Sequence, residues 1–441
     1  FSVTAATLAA CETPVTKAIP YVVKPETITP GVPNYYASAY YDGKDFASLS
    51  VKTREGRPIK VKGNTHCSIT HGGTNARIQA SVLSLYDGKR AKSALKEGQP
   101  IAWSEADKEI ITSLQQIADS GKKTVLLSHS IVSPSTKRAI AQFAEVYGNI
   151  EHISYDAVSW RSIRDAHREV MGKSIIPHLD FSKAKSIVSI GADFLNGWLF
   201  STAYEHGYAE GRNPDNPHMS RHFQFETVMS LAGANADYRT MIKASEHGAA
   251  VVALHNYIAS KLGQAKAGNA EVAFSEDIVR AGDHLLSNKG KGLVVCGLND
   301  KHAQGLVARI NQMLGNYGHT LRTDHTVNLY QGNDAAAAKL AGRIAQGEVA
   351  GLIVYGCNPV YSMPNGAELA EAMKGLSLSV SFADRVEETQ TQYLLPDHHS
   401  LESWNDHEAV TGRYTIQQPT IHPLFDTRQA QENFLVWTGQ V

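Results

Sequence analysis

Three segments of the chain end alike, and that ending constrains the fold more than any other feature. Ile187 to Asp193 reads IVSIGAD, Leu293 to Asn299 reads LVVCGLN, and Ile353 to Asn358 reads IVYGCN. Each is a run of apolar or small residues, then glycine, one further residue, and Asp or Asn. Apolar runs without polar alternation imply strands buried on both faces, the condition of a parallel sheet covered by helices. Glycine lets the chain turn sharply off the carboxyl end of such a strand, and Asp or Asn there caps the loop or meets a ligand. Further strands are read at 124–130, from Gly351 and from Leu376, with helical patterns at 142–147, 247–262, 300–314, 334–347 and 366–374. This alternation predicts a doubly wound α/β architecture used twice, with any ligand at the carboxyl edge near the switch point. No GxGxxG or phosphate-loop lysine motif accompanies the strands, so a conventional dinucleotide or ATP site has no support.

The 441 residues are enough for two or three packed units. Lys and Arg number 42 against 43 Asp and Glu, a formal net charge of -1 without long runs of either sign, which argues against nucleic acid as a partner. No window approaches the roughly 18 uninterrupted apolar residues of a membrane-spanning helix. The four cysteines, Cys11, Cys67, Cys296 and Cys357, have neither metal-knuckle nor redox spacing. Cys296 and Cys357 end apolar strands and read as buried small hydrophobes. Histidines are densest in PDHHSLESWNDHE, which holds His398, His399 and His407. A metal site is one reading of this loop; without a helical i, i+4 placement, polar packing is the favoured one.

The amino terminus, FSVTAATLAACETPV, runs into a Pro-rich polar connector that reaches Pro33. Leu8-Ala9-Ala10-Cys11 resembles the end of a bacterial lipoprotein export signal, whose cysteine is acylated after cleavage. The expectation is an exported leader and linker over 1–30 with lipidation at Cys11; the alternative is a frayed leader with an incidental cysteine. Next, ASAYYDGKDFASLSVKTREGRPIKVKGN reads as a two-stranded hairpin turning at Glu55-Gly56, with Val51, Ile59 and Val61 alternating with polar neighbours. A loop over Tyr40 to Ser48, containing Gly43, is expected to precede it.

Two of these stretches, VKTREGRPIKVKGN and the following GGTNARIQASVLSLYDGKR, resemble the start of the molybdopterin (bis-guanine dinucleotide) oxidoreductases, in which a cysteine-bound iron-sulfur cluster sits under such a hairpin. IVSIGADFLNGWLFSTAYEHGYAEGR, MSLAGANADYRTMI, VYGCNPVYSMPNG and YLLPDHHSLESWNDHEAVTGRYTIQQPTIHPLFDTR together resemble the molybdopterin-like half of the large iron-sulfur subunit, the B subunit, of bacterial alternative complex III. The resemblance runs from about Pro30 to Arg428. It implies a molybdopterin-oxidoreductase-like α/β fold with two doubly wound parallel-sheet domains plus a small N-terminal β hairpin region. The implied division is 31–75 for a degenerate cluster-type β region, 76–155 with 330–441 for a discontinuous α/β domain, and 156–329 for a second one. It further implies a place at the periplasmic face of the bacterial inner membrane, in a complex passing electrons from quinol to cytochrome c or a high-potential iron-sulfur protein. The implied partners are a multihaem cytochrome c, integral membrane quinol-binding subunits, and a ferredoxin-like continuation of the same subunit that carries the iron-sulfur clusters.

Residue by residue, the resemblance carries over no cofactor ligand. The four cluster cysteines fall at Tyr40, Gly43, Ala47 and Asn75, and no cysteine lies between residues 12 and 66. A cubane cluster needs thiolates, so this position is expected to hold none. Where catalytic relatives place a molybdenum ligand, only Ser201 is available, and a helix-cap or packing hydroxyl is its favoured reading. The late pattern of Asn and an acid before Gly-Arg stands here as AVTGRY, with Ala409 and Thr411 at those positions. The expectation is therefore a non-catalytic scaffold with no cofactor of its own. Two alternatives stay open. One is an active molybdopterin-dependent oxidoreductase fragment, favoured by the strand-end loops and by His398, His399 and Glu402; the other is a hydrolase with a metal held by the histidine-rich loop and Asp397.

Overall fold

The computed structural model describes Glu26 and residues 28–440, so Cys11 and nearly all of the expected leader lie outside the described residues. Its strands are β1 (Asn34–Tyr41), β2 (Phe46–Arg54), β3 (Arg57–Gly63), β4 (Leu95–Lys96), β5 (Gln99–Pro100), β6 (Lys123–Ser128), β7 (Ile150–Ser154), β8 (Pro177–Leu179) and β9 (Ser186–Ile190). They continue with β10 (Arg221–Glu226), β11 (Tyr238–Met241), β12 (Gly292–Cys296), β13 (Leu321–Thr326), β14 (Val349–Tyr355), β15 (Leu378–Ser381), β16 (Tyr393–Leu394), β17 (Asn405–Val410) and β18 (Arg413–Gln417).

β1, β2 and β3 form an antiparallel sheet, which corrects the two-strand reading of the hairpin. Glu55 and Gly56 do make the β2–β3 turn, both in the left-handed region at φ 47° and 74°, as a two-residue hairpin turn of the primed kind requires. The segment expected as a loop over Tyr40 to Ser48 is instead the end of β1, a four-residue turn and the start of β2, with Tyr40 paired to Ala47 and Tyr41 to Phe46. Alternate residues of β2 enter different cores: Phe46 packs with Phe200 and Tyr330, while Ala47, Leu49 and Val51 pack with Ile78 and Leu85.

The predicted parallel sheets are both present. Four parallel strands stand in the order β11-β10-β9-β12, and a seven-stranded sheet runs β5-β4-β16-β15-β14-β6-β7, parallel from β16 to β7. Both faces of the larger sheet are covered. Leu126 and Ile353 point to the side of helices Trp103–Asp119, Pro134–Tyr147 and Ala430–Trp437; Val125, Leu127, Leu352 and Val354 point to helices Asp334–Ala345 and Gly366–Met373. Burying each such aliphatic side chain contributes about 1.5–3 kcal/mol, so period-2 sorting onto two apolar layers holds the sheet in register. Helix ends follow local chemistry: Ser133 Oγ accepts from Thr136 N at 3.0 Å with Pro134 at the first turn, and Gly148 closes that helix in a left-handed conformation. No helix among the described residues is long and apolar enough to cross a membrane.

Strand order locates two switch points. In the larger sheet the chain goes from β6 outward to β7, leaves, then returns to lay β14 on the other side of β6 and moves away through β15 and β16. In the smaller sheet β9 is followed outward by β10 and β11, and β12 returns to its other side. The crevices therefore open at the carboxyl ends of β6 and β14, and of β9 and β12.

Candidate functional site

At the first switch point the strand ends are Ser128-His129-Ser130 and Tyr355-Gly356-Cys357. Gly356 has φ 65°, and the His129 imidazole lies where its missing side chain would be; a methyl there would overlap the ring. The same ring meets Tyr41 edge-on at 5.3 Å and Tyr355 at 5.6 Å between centroids, and its Nδ1 donates to Ser130 O at 2.8 Å. Tyr41 in turn donates to Ser130 O at 2.8 Å and Leu329 O at 3.1 Å. Asp156, just beyond β7, accepts from Ser130 N at 3.0 Å, Ser130 Oγ at 2.8 Å and Gly332 N at 2.8 Å. Residues 129–130, 156 and 329–332 are thereby tied into one buried network, at the point where the chain returns from the second sheet to the first.

What remains open above β6 and β14 is a cleft of about 210 Å³ bordered by His129, Gly356, Asp397, His398 and His407. Small-molecule and cofactor pockets usually run from about 300 to 1,000 Å³, so a dinucleotide-sized group does not fit here without expelling the His129 ring. Burial lowers the proton affinity of His129 and His398, and that of His407 to about 4, so all three are neutral at pH 7. Burial pushes Asp397 up to about 7. Its Oδ1 accepts from His398 N at 2.8 Å and from Ala430 N at 3.1 Å, the first N–H of the helix Ala430–Trp437. Asp397 is thus a helix-capping carboxyl.

The second switch point is closed by backbone. Gly297 N donates to Ile190 O at 2.9 Å, and a methyl on Gly297 would land on Gly191 O. The His247 ring lies 3.3 Å from where a methyl on Gly191 would sit. The polar residues that follow the three glycines bond to neighbouring chain. Asp193 accepts from Ala232 N at 3.0 Å, Asn299 accepts from Ser162 N at 3.4 Å, and Asn358 accepts from Thr389 Oγ1 at 2.7 Å while donating to Glu388 at 2.7 Å.

The cluster-type positions Tyr40, Gly43 and Ala47 share one hairpin, and Asn75 caps the following helix, Ala76–Ser84, by accepting from Ile78 N at 3.0 Å. The turn between β1 and β2 is occupied by its own polar groups. Asp42 accepts from Lys44 N, Asp45 N and Tyr40 OH, and Arg77 Nε donates to Asp45 at 2.6 Å. Gly43, at φ 89°, faces the His129 side chain, whose Cβ would lie 3.0 Å from a methyl added to this glycine. Phenol, methyl, hydrogen and carboxamide offer no thiolate, so this donor set does not fit a cubane cluster.

Ser201 opens the helix Ser201–Gly211 and donates to Asn196 O at 2.8 Å. Ala409 is buried on β17, and Thr411, in the β17–β18 turn, shares a hydrogen bond with Thr326 at 2.6 Å. The three loop histidines, conceived as a metal set, diverge: His398 bonds Thr427 Oγ1 at 2.6 Å, His399 bonds Ser84 Oγ at 2.9 Å, and His407 bonds Gln417 Oε1 at 3.1 Å. Glu402 faces Arg90 instead. No group of three or more His, Cys, Asp or Glu among the described residues could hold a metal ion. Cys67, Cys296 and Cys357 are free thiols, and burial pushes the latter two up to about 12.

His129, Tyr41 and Asp156 were not singled out by the sequence. His129 follows a recognised apolar strand in the position that glycine takes after the other three, and that substitution is the signal that could have found it. Gly356→Ala is expected to cost about 1–3 kcal/mol in urea unfolding of the larger sheet, as overpacking does. Adding His129→Ala should recover the part due to the ring and leave about 1–2 kcal/mol of left-handed strain. An additive double mutant would mean that the ring is not the obstacle.

No family model matches the chain. It is 23% identical over 453 residues to the menaquinone reductase, molybdopterin-binding-like subunit, of Nitratidesulfovibrio vulgaris, a match covering 89% of this chain and 63% of that protein. The chain thus spans less than two thirds of that relative's length. Among solved structures it is similar to acetylene hydratase from Pelobacter acetylenicus, with a TM-score of 0.71 and 11% identity over 92% of this chain and 69% of that one. With its two parallel sheets, the chain has a molybdopterin-oxidoreductase-like α/β fold.

Proposed function

We propose that this chain is a non-catalytic scaffold segment, built on a molybdopterin-enzyme fold, in a membrane-associated quinol:electron-acceptor oxidoreductase of the alternative complex III type. It holds the cluster-bearing continuation of its own subunit, and multihaem cytochrome and quinol-binding subunits, at the periplasmic face of the inner membrane. Electrons pass from quinol to cytochrome c or a high-potential iron-sulfur protein through cofactors carried elsewhere in the assembly. The observation that carries the reading is the His129 ring seated against Gly356, in the crevice where a ligand of this fold class would enter. The absence of thiolates from Tyr40, Gly43, Ala47 and Asn75 supports it, as does similarity to a subunit whose name couples menaquinone reduction with molybdopterin-like character. A stable α/β core and its surfaces suffice for such a role, because function resides in sites and not in folds.

The test is molybdenum by mass spectrometry and pterin by oxidative fluorescence, on the intact complex purified through this subunit. Both are expected far below one per chain. Stoichiometric molybdenum or pterin would overturn the scaffold reading in favour of an active molybdopterin-dependent oxidoreductase. For that alternative the favourable observation is the cleft itself, which keeps Asp397, His398 and His407 at the switch point.

A further inference from the structure

Opposite its switch point, the amino edge of the smaller sheet is charged with one sign. Two stretches repeat a pattern there, KAKS at 183–186 and KGKG at 289–292, each ending on the first residue of a strand. β9 and β12 are parallel neighbours with Ser186 opposite Gly292, so the two Lys-x-Lys pairs arrive side by side. Lys185 N donates to Lys291 O at 2.7 Å, which sets the inner lysines on adjoining strand ends. Neighbouring strands lie about 4.7–4.9 Å apart, and like charges at that separation oppose the pairing. Ala184 and Gly290, the residues between the lysines, are too small to shield one pair from the other. Arg221, which opens β10 and is the register partner of Ser186 on the other side of β9, extends the row.

The four lysines border a groove of about 530 Å³, with His218 and His319 also in its walls and no Asp or Glu among the described residues that line it. Lys183 pairs with Asp180 at 3.0 Å, whereas Lys185, Lys289 and Lys291 have no carboxylate partner among the described residues. Three acids lie nearby: Asp180, Asp215 just before the wall at Asn216, and Glu210, which borders a neighbouring cavity. Set against the four lysines and Arg221, they still leave this edge positive. The whole chain has a formal net charge of -1, so the excess is local. Exposed lysines need no counter-ion in water. What distinguishes these is convergence on one concave surface without an acid, an arrangement that concentrates anions and speeds their encounter. Shape and chemistry then select the anion. A groove does not lie flush on a bilayer plane. Lysine lacks the planar fork with which Arg clamps one phosphate or carboxylate, so separate lysines suit several carboxylates along a chain.

We infer that this groove is a docking surface for an acidic peptide segment of a partner protein, whose carboxylates pair with Lys185, Lys289 and Lys291. Docking replaces the repulsion between the two lysine pairs by attraction and leaves both switch points untouched. The surface serves a chain with or without a cofactor alike.

A fluorescein-labelled oligoglutamate peptide, titrated with the full chain at low ionic strength, should give a saturable rise in anisotropy, and the matching oligoglutamine peptide should give none. Binding should weaken steeply as salt shortens the screening length to about 8 Å. Lys289→Gln combined with Lys291→Gln, both exposed, should lower the affinity about tenfold with the amide spectrum unchanged, the scale of two surface ion pairs. Lys108→Gln combined with Lys122→Gln removes the same charge from the helix Trp103–Asp119 and the turn after it, and should change the affinity by less than about twofold. Equal losses from the two double variants would show that the peptide reads net charge alone and would overturn the assignment, as would a parent chain that does not saturate. Displacement of the peptide by tripolyphosphate at lower concentration than by unlabelled oligoglutamate would overturn it in favour of a phosphate ligand. Capture by phosphatidylglycerol vesicles that is lost in the Lys289 and Lys291 variant would overturn it in favour of a membrane surface.

Discussion

Glu402→Ala should lower the stability of the chain by about 3–5 kcal/mol, the cost of leaving a buried cation without its partner. Glu402 and Arg90 have fully buried side chains and meet in a two-pronged pair at 3.1 and 2.7 Å. The carboxylate also accepts from His399 N at 2.9 Å and Leu424 N at 3.0 Å, while Arg90 donates to Leu85 O at 3.0 Å and lies over the Phe425 ring. Removing the carboxylate therefore strands one charge and two backbone donors together, and unties the 399–402 turn from the loop after the helix Ala76–Ser84. Burial alone would raise the Glu402 proton affinity, but Arg90 and the two N–H groups outweigh it and hold the carboxyl below its ordinary range. Its stabilising contribution is thus complete above the unfolded-state value near about 4.3 and is lost as pH falls through the lower folded value. Urea unfolding across this window should show the difference between parent and variant shrinking toward acid. A variant within about 1 kcal/mol of the parent at neutral pH would mean that the pair contributes only what a solvated one does. Asp87→Ala, which breaks the more exposed pair with Arg385, is the control and should have a much smaller effect.

The fate of Glu402 illustrates what a single sequence discloses and what it hides. The strands starting at 186 and 292, the strand read from Leu376 that begins at Leu378, and the helices His247–Lys261, Lys301–Met313, Asp334–Ala345 and Gly366–Met373 lie within two residues of where the apolar runs and periodicities place them, because burial on both faces of a sheet writes itself into contiguous residues. Tyr40 to Ser48 reads as a loop in the sequence, although it holds the end of β1 and the start of β2, for a related reason. Neighbouring residues of β2 serve two different cores, so small and aromatic side chains follow one another without the alternation that marks a half-buried strand. The site was less legible still. His129 and Gly356 stand far apart in the chain, as do Arg90 and Glu402, and Asp156 meets the returning segment at Gly332; none of these pairings leaves a local pattern. The histidine-rich loop was visible as a cluster of potential ligands, yet each ring is turned to a different partner. Which strand lies beside β6, and hence where the crevice opens, is likewise a property of the sheet order alone.

Gly297→Ala should be the most damaging single methyl in the smaller sheet, on the order of 3 kcal/mol, at the upper end of overpacking costs. The added carbon would meet Gly191 O, Gly191 C and Ala192 N, all backbone atoms of the adjoining strand end, so no rotamer change can relieve it. The turn cannot easily shift either: Gly297 N is bonded to Ile190 O at 2.9 Å, and Gln304 Nε2 donates to Cys296 O at 2.8 Å and Leu298 O at 2.7 Å. Relief therefore requires β9 and β12 to separate at their carboxyl ends, where Ile190 pairs with Cys296 in the heart of an apolar cluster. Because a chain with several packed units need not unfold in one step, amide hydrogen exchange along β9 and β12 is the appropriate measurement. Faster exchange confined to those strands and β10 is the expected result. Gly305→Ala provides the contrast: Gly305 lies within the helix Lys301–Met313 with open space where its side chain would be, so the same methyl should stabilise by about 0.5–1 kcal/mol. If the two substitutions had equal effects, close approach of the strand ends would not be what fixes glycine at position 297. The opposite outcome would tie the glycine of IVSIGAD and LVVCGLN to the meeting of β9 and β12, a role in assembling the sheet that requires no ligand at the switch point.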